Sequence, residues 1–253
     1  MLYLIGLGLR GIKDLNLESM EIIKECDLLY FENYTSLLPE VKKEDYETFF
    51  NKKIENASRE FVESGAILDI SKEKNVCLLI PGDVFIATTH MDLFLRAIKE
   101  KIKVKVIHNV SVLNAISDTG LQIYKFGRIV TIPFWFGDYK PTSFIKMIYE
   151  NYLRGLHSLI LLDLDIEKQK YLNPNEALGM ISEASLKENL DFGCGIPDLK
   201  FVVCCRMGSQ TQKIYYGKHG DLINLDFGKP PWCMILPGKL HPVEEEVLNL
   251  YEV

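Results

Sequence analysis

The sequence lacks an excess of positive charge. Its 29 lysines and arginines stand against 35 aspartates and glutamates, a formal net charge of −6. A phosphate backbone is bound by clustered cations, so nucleic acid is excluded as a general partner. Long apolar runs are missing too, and none reaches the 18 or so residues that span a membrane. The opening stretch MLYLIGLGL carries no basic leader and reads as a first strand rather than a signal peptide. Cysteine is sparse: six residues, at 26, 77, 194, 204, 205 and 233, form no C-x-x-C pair in a chain long enough to do without disulfides. They are expected to be reduced thiols of a cytoplasmic protein, with Cys204 and Cys205 as small core residues of a strand. The five histidines, at 90, 108, 157, 219 and 241, have no metal-ligand spacing, and no metal site is expected. Also absent are G-x-S-x-G, H-E-x-x-H, G-x-x-x-x-G-K-[ST], an EF-hand loop, internal repeats and low-complexity tracts.

What remains is an ordinary globular composition, 47% hydrophobic and 25% charged, long enough for two α/β domains. The first is organised around residues 75–91, NVCLLIPGDVFIATTHM. Five apolar residues without alternation, Val76 to Ile80, suit a parallel strand buried on both faces. Pro81-Gly82-Asp83 ends it in a tight turn, and a helical pattern over 91–101 follows. Such a turn lies where open α/β sheets bind ligands, so Asp83 either faces a ligand or simply forms the turn.

Residues 6–11, GLGLRG, match G-x-G-x-x-G, and Glu32 could be the acid that ends the second strand of a nicotinamide-binding fold. Helical periodicity, however, starts only near Leu17, too late for a helix N-terminus to meet a pyrophosphate. The glycines more naturally make a tight turn against which chain or a non-phosphate ligand can lie. Surface-type helix over 41–50, a weak strand over 54–57, one helix over 59–70 and a strand over 104–108 complete a β-α-β-α-β-α-β series, the pattern of a largely parallel sheet. Ser111 follows that strand, either in a ligand cleft or as a helix N-cap.

The domain boundary is placed at 110/111, giving a domain of 1–110 and a second of 111–253. In the second, strands are expected over 128–134, 158–163 and 199–207. A hairpin-like segment over 213–218 is joined through 217–228 to 233–236. Helices are expected over 141–153 with Pro141 in the first turn, 176–190 and 243–251. This half is α+β with a mixed or antiparallel sheet. His90 and His241, each just past a Pro-Gly turn, are the histidines to test for catalysis; the others read as turn, cap or surface residues.

Seven segments read together, IGLGL near residue 5, YTSL at 34, LIPGDVFIATTH at 79, VIHNVSV at 106, GLQIYKFG at 120, RGLHSLILLD at 154 and PGKLH at 237, closely resemble the diphthine synthase family of the tetrapyrrole methylase superfamily. The resemblance runs the whole length of the chain. The glycine-rich first strand and the P-G-D turn belong to the whole superfamily, so they alone leave its other methyltransferases open as alternatives. The resemblance implies a two-domain α/β protein, usually a homodimer, with S-adenosylmethionine in the interdomain cleft. Carried onto matching positions, the cofactor would touch Leu9, Asp83, Ile86, Ser111, Val112, Leu162, Met207 and Trp232. Trp232 departs from the family, which usually has histidine after the proline pair. The substrate implied is elongation factor 2 carrying a 3-amino-3-carboxypropyl-histidine, whose amino group is trimethylated; in eukaryotic members a carboxylate is esterified as well. The QTQKI segment at 210 leans toward that fourth transfer. In-line placement drives such a transfer, and no catalytic residue is named beyond His90 as a first choice of base.

Overall fold

A computed structural model describes all residues, 1–253. By its contacts the chain divides into Met1–Ala115 with Asp165–Gln169, and Ile116–Leu164 with Lys170–Val253.

The first unit is a five-stranded sheet: β1 (Leu2–Gly6), β2 (Leu28–Glu32), β3 (Glu55–Ala57), β4 (Val76–Ile80) and β5 (Val104–Ile107). Every pairing is parallel and the order is β3-β2-β4-β1-β5. All five residues of β4 are buried, and their side chains alternate between two cores. Val76, Leu78 and Ile80 join one, while Cys77 and Leu79 join the other. That is why the run does not alternate in hydropathy. Each large side chain so buried contributes about 1.5–3 kcal/mol.

The two cores separate the crossovers by direction. Ile23 of α1 (Leu17–Glu25) and Tyr46 and Phe50 of α2 (Lys43–Phe50), which connect strands leftward across the sheet, lie in one core. Val62 of α3 (Arg59–Ser64), Ile67 and Leu68 of α4 (Ala66–Glu73), and Leu93 and Ala97 of α5 (His90–Lys99) lie in the other, on the rightward connections. Right-handed crossovers require this. Neighbours β1 and β4 therefore send their chains to opposite faces, which makes their carboxyl ends a topological switch point. One expectation is corrected here: 59–70 is two helices, not one, because Gly65 at φ 91° breaks the run. A four-residue α6 (Val112–Ala115) closes the unit.

The second unit holds a mixed sheet of β6 (Val130–Ile132), β7 (Ser158–Leu162), β10 (Lys200–Cys205), β11 (Lys213–Lys218) and β12 (Trp232–Leu236), ordered β11-β10-β12-β7-β6. Two-residue strands β8 (Leu164–Asp165) and β9 (Lys170–Tyr171) make a separate ribbon. Only β6 and β7 are parallel; the other ladders of the sheet are antiparallel. Phe144, Ile145 and Ile148 of α7 (Ser143–Leu153) and Leu178, Ile181 and Ala184 of α8 (Pro174–Lys187) pack into one core with Ile160, Phe201, Val203 and Met234. Short α9 (His219–Leu222) and α10 (Pro242–Asn249) complete it. Pro141 falls before the Thr142 cap instead of inside α7. The 213–218 segment makes its hairpin with β10, and β12 inserts between β10 and β7. Cys204 and Cys205 are fully buried in β10, as small core residues. No helix is long and apolar enough to cross a membrane.

Candidate functional site

At the switch point the turns after β1 and β4 are stitched together by backbone. Leu7 N–H donates to Ile80 O at 2.8 Å, Gly8 N–H to Gly82 O at 3.0 Å, and Gly82 N–H back to Gly8 O at 2.9 Å. The approach needs glycine: a Cβ on Gly6 would stand 2.7 Å from Gly82 O, and Gly8 has φ 68°. The amides beyond are already used. The Asp14 carboxylate accepts Leu9 N–H and Arg10 N–H, both at 2.9 Å, and Arg10 Nε–H at 2.7 Å. An internal carboxylate thus fills the place a pyrophosphate would take in a dinucleotide fold, and α1 begins only at Leu17, capped by Asn16. Glu32 is fully buried and receives Tyr34 N–H at 2.5 Å and Thr35 N–H at 2.7 Å, so it reaches no ribose. The nicotinamide alternative loses both of its supports.

Asp83 sits in the second turn, 4% exposed. Its Oδ1 accepts Phe85 N–H at 3.0 Å; its Oδ2 accepts Asn109 N–H at 3.0 Å and lies 2.8 Å from His108 Nδ1. The Asn109 side-chain amide in turn donates to Gly6 O and Asp14 O, each at 2.9 Å. The loops after β1, β4 and β5 are therefore one hydrogen-bonded body. Ser111 is buried, and its hydroxyl accepts Leu113 N–H at 3.2 Å at the start of α6, which is a capping role. Where a Cβ on Gly82 would project, the nearest atom is Ser111 Cβ at 4.0 Å. That space is open. Leu9, Ile86 and Val112 stand half-buried in these loops. The turn between Val84 and His90 is strained: Ala87 is held at φ 57°, and Thr88 Oγ1 donates to Val84 O at 2.6 Å. Leu9, Asp83, Ile86, Ser111 and Val112 thus all lie on the three loops at the switch point of the first unit.

In the second unit Leu162 ends β7, Met207 lies two residues past β10, and Trp232 opens β12. Since β12 is antiparallel to both of its neighbours, these positions share one end of the sheet. Trp232 pairs with Cys205 in the ladder, and its indole N–H donates to Phe227 O at 3.3 Å. Leu162 and Met207 are each 7% exposed. Arg206, at φ 50°, fastens this end, donating to Thr211 O at 3.1 Å, Phe227 O at 3.1 Å and Lys229 O.

The histidines differ sharply in what they offer. His90 is 1% exposed, with Nε2 3.3 Å from Tyr34 Oη and 3.9 Å from Glu32 Oε2, and burial lowers its pKa to about 4. Its ring is sealed from solvent, which sets it apart from an accessible base. His241 caps α10, its Nδ1 accepting Val243 N–H at 3.3 Å. His157 is buried between Gly238 N–H, which it accepts at Nδ1 at 2.9 Å, and Glu244, 3.0 Å from its Nε2. His219 is buried against Ser182 and Leu178 O. His108 is the residue the sequence reading passed over, and its side chain is 65% exposed. A usable signal was its position at the end of a strand, three residues before Ser111. No group of three or more acidic, histidine or cysteine side chains is arranged for a metal.

A family model described as Tetrapyrrole (Corrin/Porphyrin) Methylases matches residues 1–223. The chain is 40% identical to a diphthine synthase of Methanocaldococcus jannaschii, covering 98% of each. It is 37% identical to a diphthine methyl ester synthase of Homo sapiens, covering all of this chain and 95% of the relative. A crystal structure of diphthine synthase superposes with a TM-score of 0.88 at 30% identity, covering all of this chain and 96% of that one.

Proposed function

The chain belongs to the tetrapyrrole (corrin/porphyrin) methylase family as a methyltransferase of the diphthine synthase group, and we propose that it transfers methyl groups from S-adenosylmethionine to elongation factor 2. The acceptor is the amino nitrogen of a 3-amino-3-carboxypropyl-histidine, methylated three times, with a fourth methyl esterifying a carboxylate. The observation that carries the reading is the pair of stitched turns at the switch point. Its phosphate-type amides are closed by Asp14, while the place a side chain would take at Gly82 is left to a non-phosphate ligand, with Ser111 Cβ 4.0 Å away.

The residues fit a cofactor with an apolar body and positive charge. Half-buried Leu9, Ile86 and Val112 would shed water from it, and the buried Asp83 and Ser111 hold the loops that face it. Leu162, Met207 and Trp232 are the contacts proposed from the second unit. When bound, the cofactor supplies an activated methyl on a sulfonium, a leaving group that needs no acid. What the chain supplies is placement, which contributes on the order of 7–11 kcal/mol to such a step. A homodimer in the cytoplasm is the form in which we expect it to act, on the strength of the family resemblance.

The test mixes the purified protein with S-adenosylmethionine and elongation factor 2 halted at the aminocarboxypropyl stage, then weighs the modified histidine peptide. A gain of three methyl groups supports amine trimethylation alone, and four supports the added ester. No gain in the presence of bound cofactor refutes the substrate assignment.

A further inference from the structure

We infer that His108 is the general base of this enzyme: its Nε2 takes the proton from the acceptor ammonium, with Asp83 fixing the ring for that task. The inference rests on the amine-methylating reading above, because an ammonium has no electron pair with which to attack. An α-amino group titrates above neutrality, so at pH 7 most acceptor molecules are ammonium. Placement alone cannot act on those.

The five histidines can be separated by which ring nitrogen is free. His90, His157 and His219 are buried. His241 is exposed, but its Nδ1 lone pair is used by Val243 N–H, so the ring hydrogen sits on Nε2 and that nitrogen has no pair to offer. At His108 the order is reversed. Nδ1 faces Asp83 Oδ2 at 2.8 Å, and an ionised carboxylate only accepts, so the hydrogen is on Nδ1. Nε2 is left with a lone pair and no protein partner on a side chain that is 65% exposed. Asp83 is the only carboxylate within ion-pair distance of the ring, and the Phe85 ring lies edge-on to it, centroids 5.8 Å apart. Asp83 itself cannot swing, since Phe85 N–H and Asn109 N–H hold its two oxygens. A base oriented by a locked carboxylate is the arrangement that activates nucleophiles in general. It stands on the same three loops as Leu9, Ile86 and Ser111.

The step balances. The ammonium N–H bond breaks, its electron pair stays on nitrogen, and the proton moves to His108 Nε2. That pair forms the new N–C bond as the C–S bond breaks with its electrons going to sulfur. Each product short of the trimethylammonium again carries a proton, so three transfers release three protons. An exposed imidazole can hand each one to water.

His108→Gln and Asp83→Asn test this. In the free proteins, nitrogen-15 spectra of the His108 ring should report the Nδ1–H tautomer in the wild type and a mixture in D83N. In single turnover with aminocarboxypropyl elongation factor 2, H108Q should lose about a hundredfold or more at pH 7, the scale of general-base catalysis. Its deficit should shrink as pH rises toward the titration of the substrate amine, and added imidazole should restore part of the rate. Neither effect is expected of a residue that only supports the loop. In H108Q, S-adenosylhomocysteine affinity should change less than threefold. An active wild type matched by H108Q at every pH, or a His108 ring protonated on Nε2 in the wild type, overturns the base and leaves the methyltransferase reading intact. A wild type that incorporates no methyl overturns both.

Discussion

Replacing Glu244 with glutamine should destabilise the second unit and flatten its response to acid. Glu244 is fully buried near the start of α10, and its two oxygens are saturated by four donors. Oε1 receives Gln122 N–H at 2.9 Å and the His157 Nε2–H at 3.0 Å; Oε2 receives His241 N–H at 2.7 Å and the Lys125 ammonium. Burial alone would raise the carboxyl pKa, but Lys125, the two amides and His157 outweigh it and hold the pKa at about 2. Against the ordinary 4.5, the linked stabilisation has an upper figure of about 3 kcal/mol. The folded pKa is depressed, so this stability is fully present above about pH 4.5 and is lost as pH falls toward 2. A glutamine offers one acceptor oxygen where four donors wait, and it leaves Lys125 without its counter-charge. Breaking such a buried pair typically costs about 3–5 kcal/mol. Both tryptophans, Trp135 and Trp232, lie in the second unit, so their fluorescence in urea isolates its unfolding. The E244Q deficit should be about 3–5 kcal/mol at pH 7 and should narrow by up to about 3 kcal/mol by pH 2. A deficit under about 1 kcal/mol at pH 7, or one that is the same at pH 2, would refute the reasoning.

Two further substitutions separate stability from binding at the switch point. Gly6→Ala places a Cβ 2.7 Å from Gly82 O and should lower thermal stability by about 1–3 kcal/mol. Gly82→Ala enters open space at φ 74° and should cost the fold only about 1–2 kcal/mol, while weakening S-adenosylhomocysteine binding at least tenfold by calorimetry. Equal affinity in G82A and wild type would remove Gly82 from the ligand surface. For His90, burial lowers the pKa to about 4, so the folded protein holds it neutral. The stability it confers is present above pH 6.5 and lost as pH falls through 4. His90→Phe should therefore abolish the part of the acid destabilisation seen by circular dichroism between pH 6.5 and 4, and leave the pH profile of methyl transfer above pH 5 unmoved. A shifted rate profile would return His90 to the chemistry.

Much of the fold was legible because local pattern and tertiary need coincide. The unalternating run from Val76 to Ile80 suits a strand buried on both faces and is one, and the late helical periodicity at Leu17 is the observed start of α1. What was not legible depended on contacts distant in sequence. Gly65 reads as a tolerable helix residue until the turn around it is seen to break the helix, with a would-be Cβ 2.1 Å from Arg96 Nη2. In one dimension nothing ranks His108, at the end of a strand, against His90, past a strand-end turn. Only the packing shows that one is sealed beside Glu32 and Tyr34 while the other keeps a nitrogen free.

Three of the segments that carry the family resemblance share one structural role. Lys125 comes from the IYKFG segment, His157 from GLHSL, and His241 directly follows the PGKL turn; all three converge on the carboxylate of Glu244. Lys125 also donates to Lys239 O at 2.8 Å, and His157 receives Gly238 N–H, so the turn itself is tied into the same cluster. With His157 accepting at Nδ1 and donating at Nε2, no ring nitrogen is left for a substrate. A sequence segment can thus be distinctive of a family because it builds one buried, fully satisfied charge cluster, in which every member is needed once any is present. On the reading proposed above, the chemistry falls instead to the exposed His108 ring, which the Asp83 carboxylate holds at 2.8 Å.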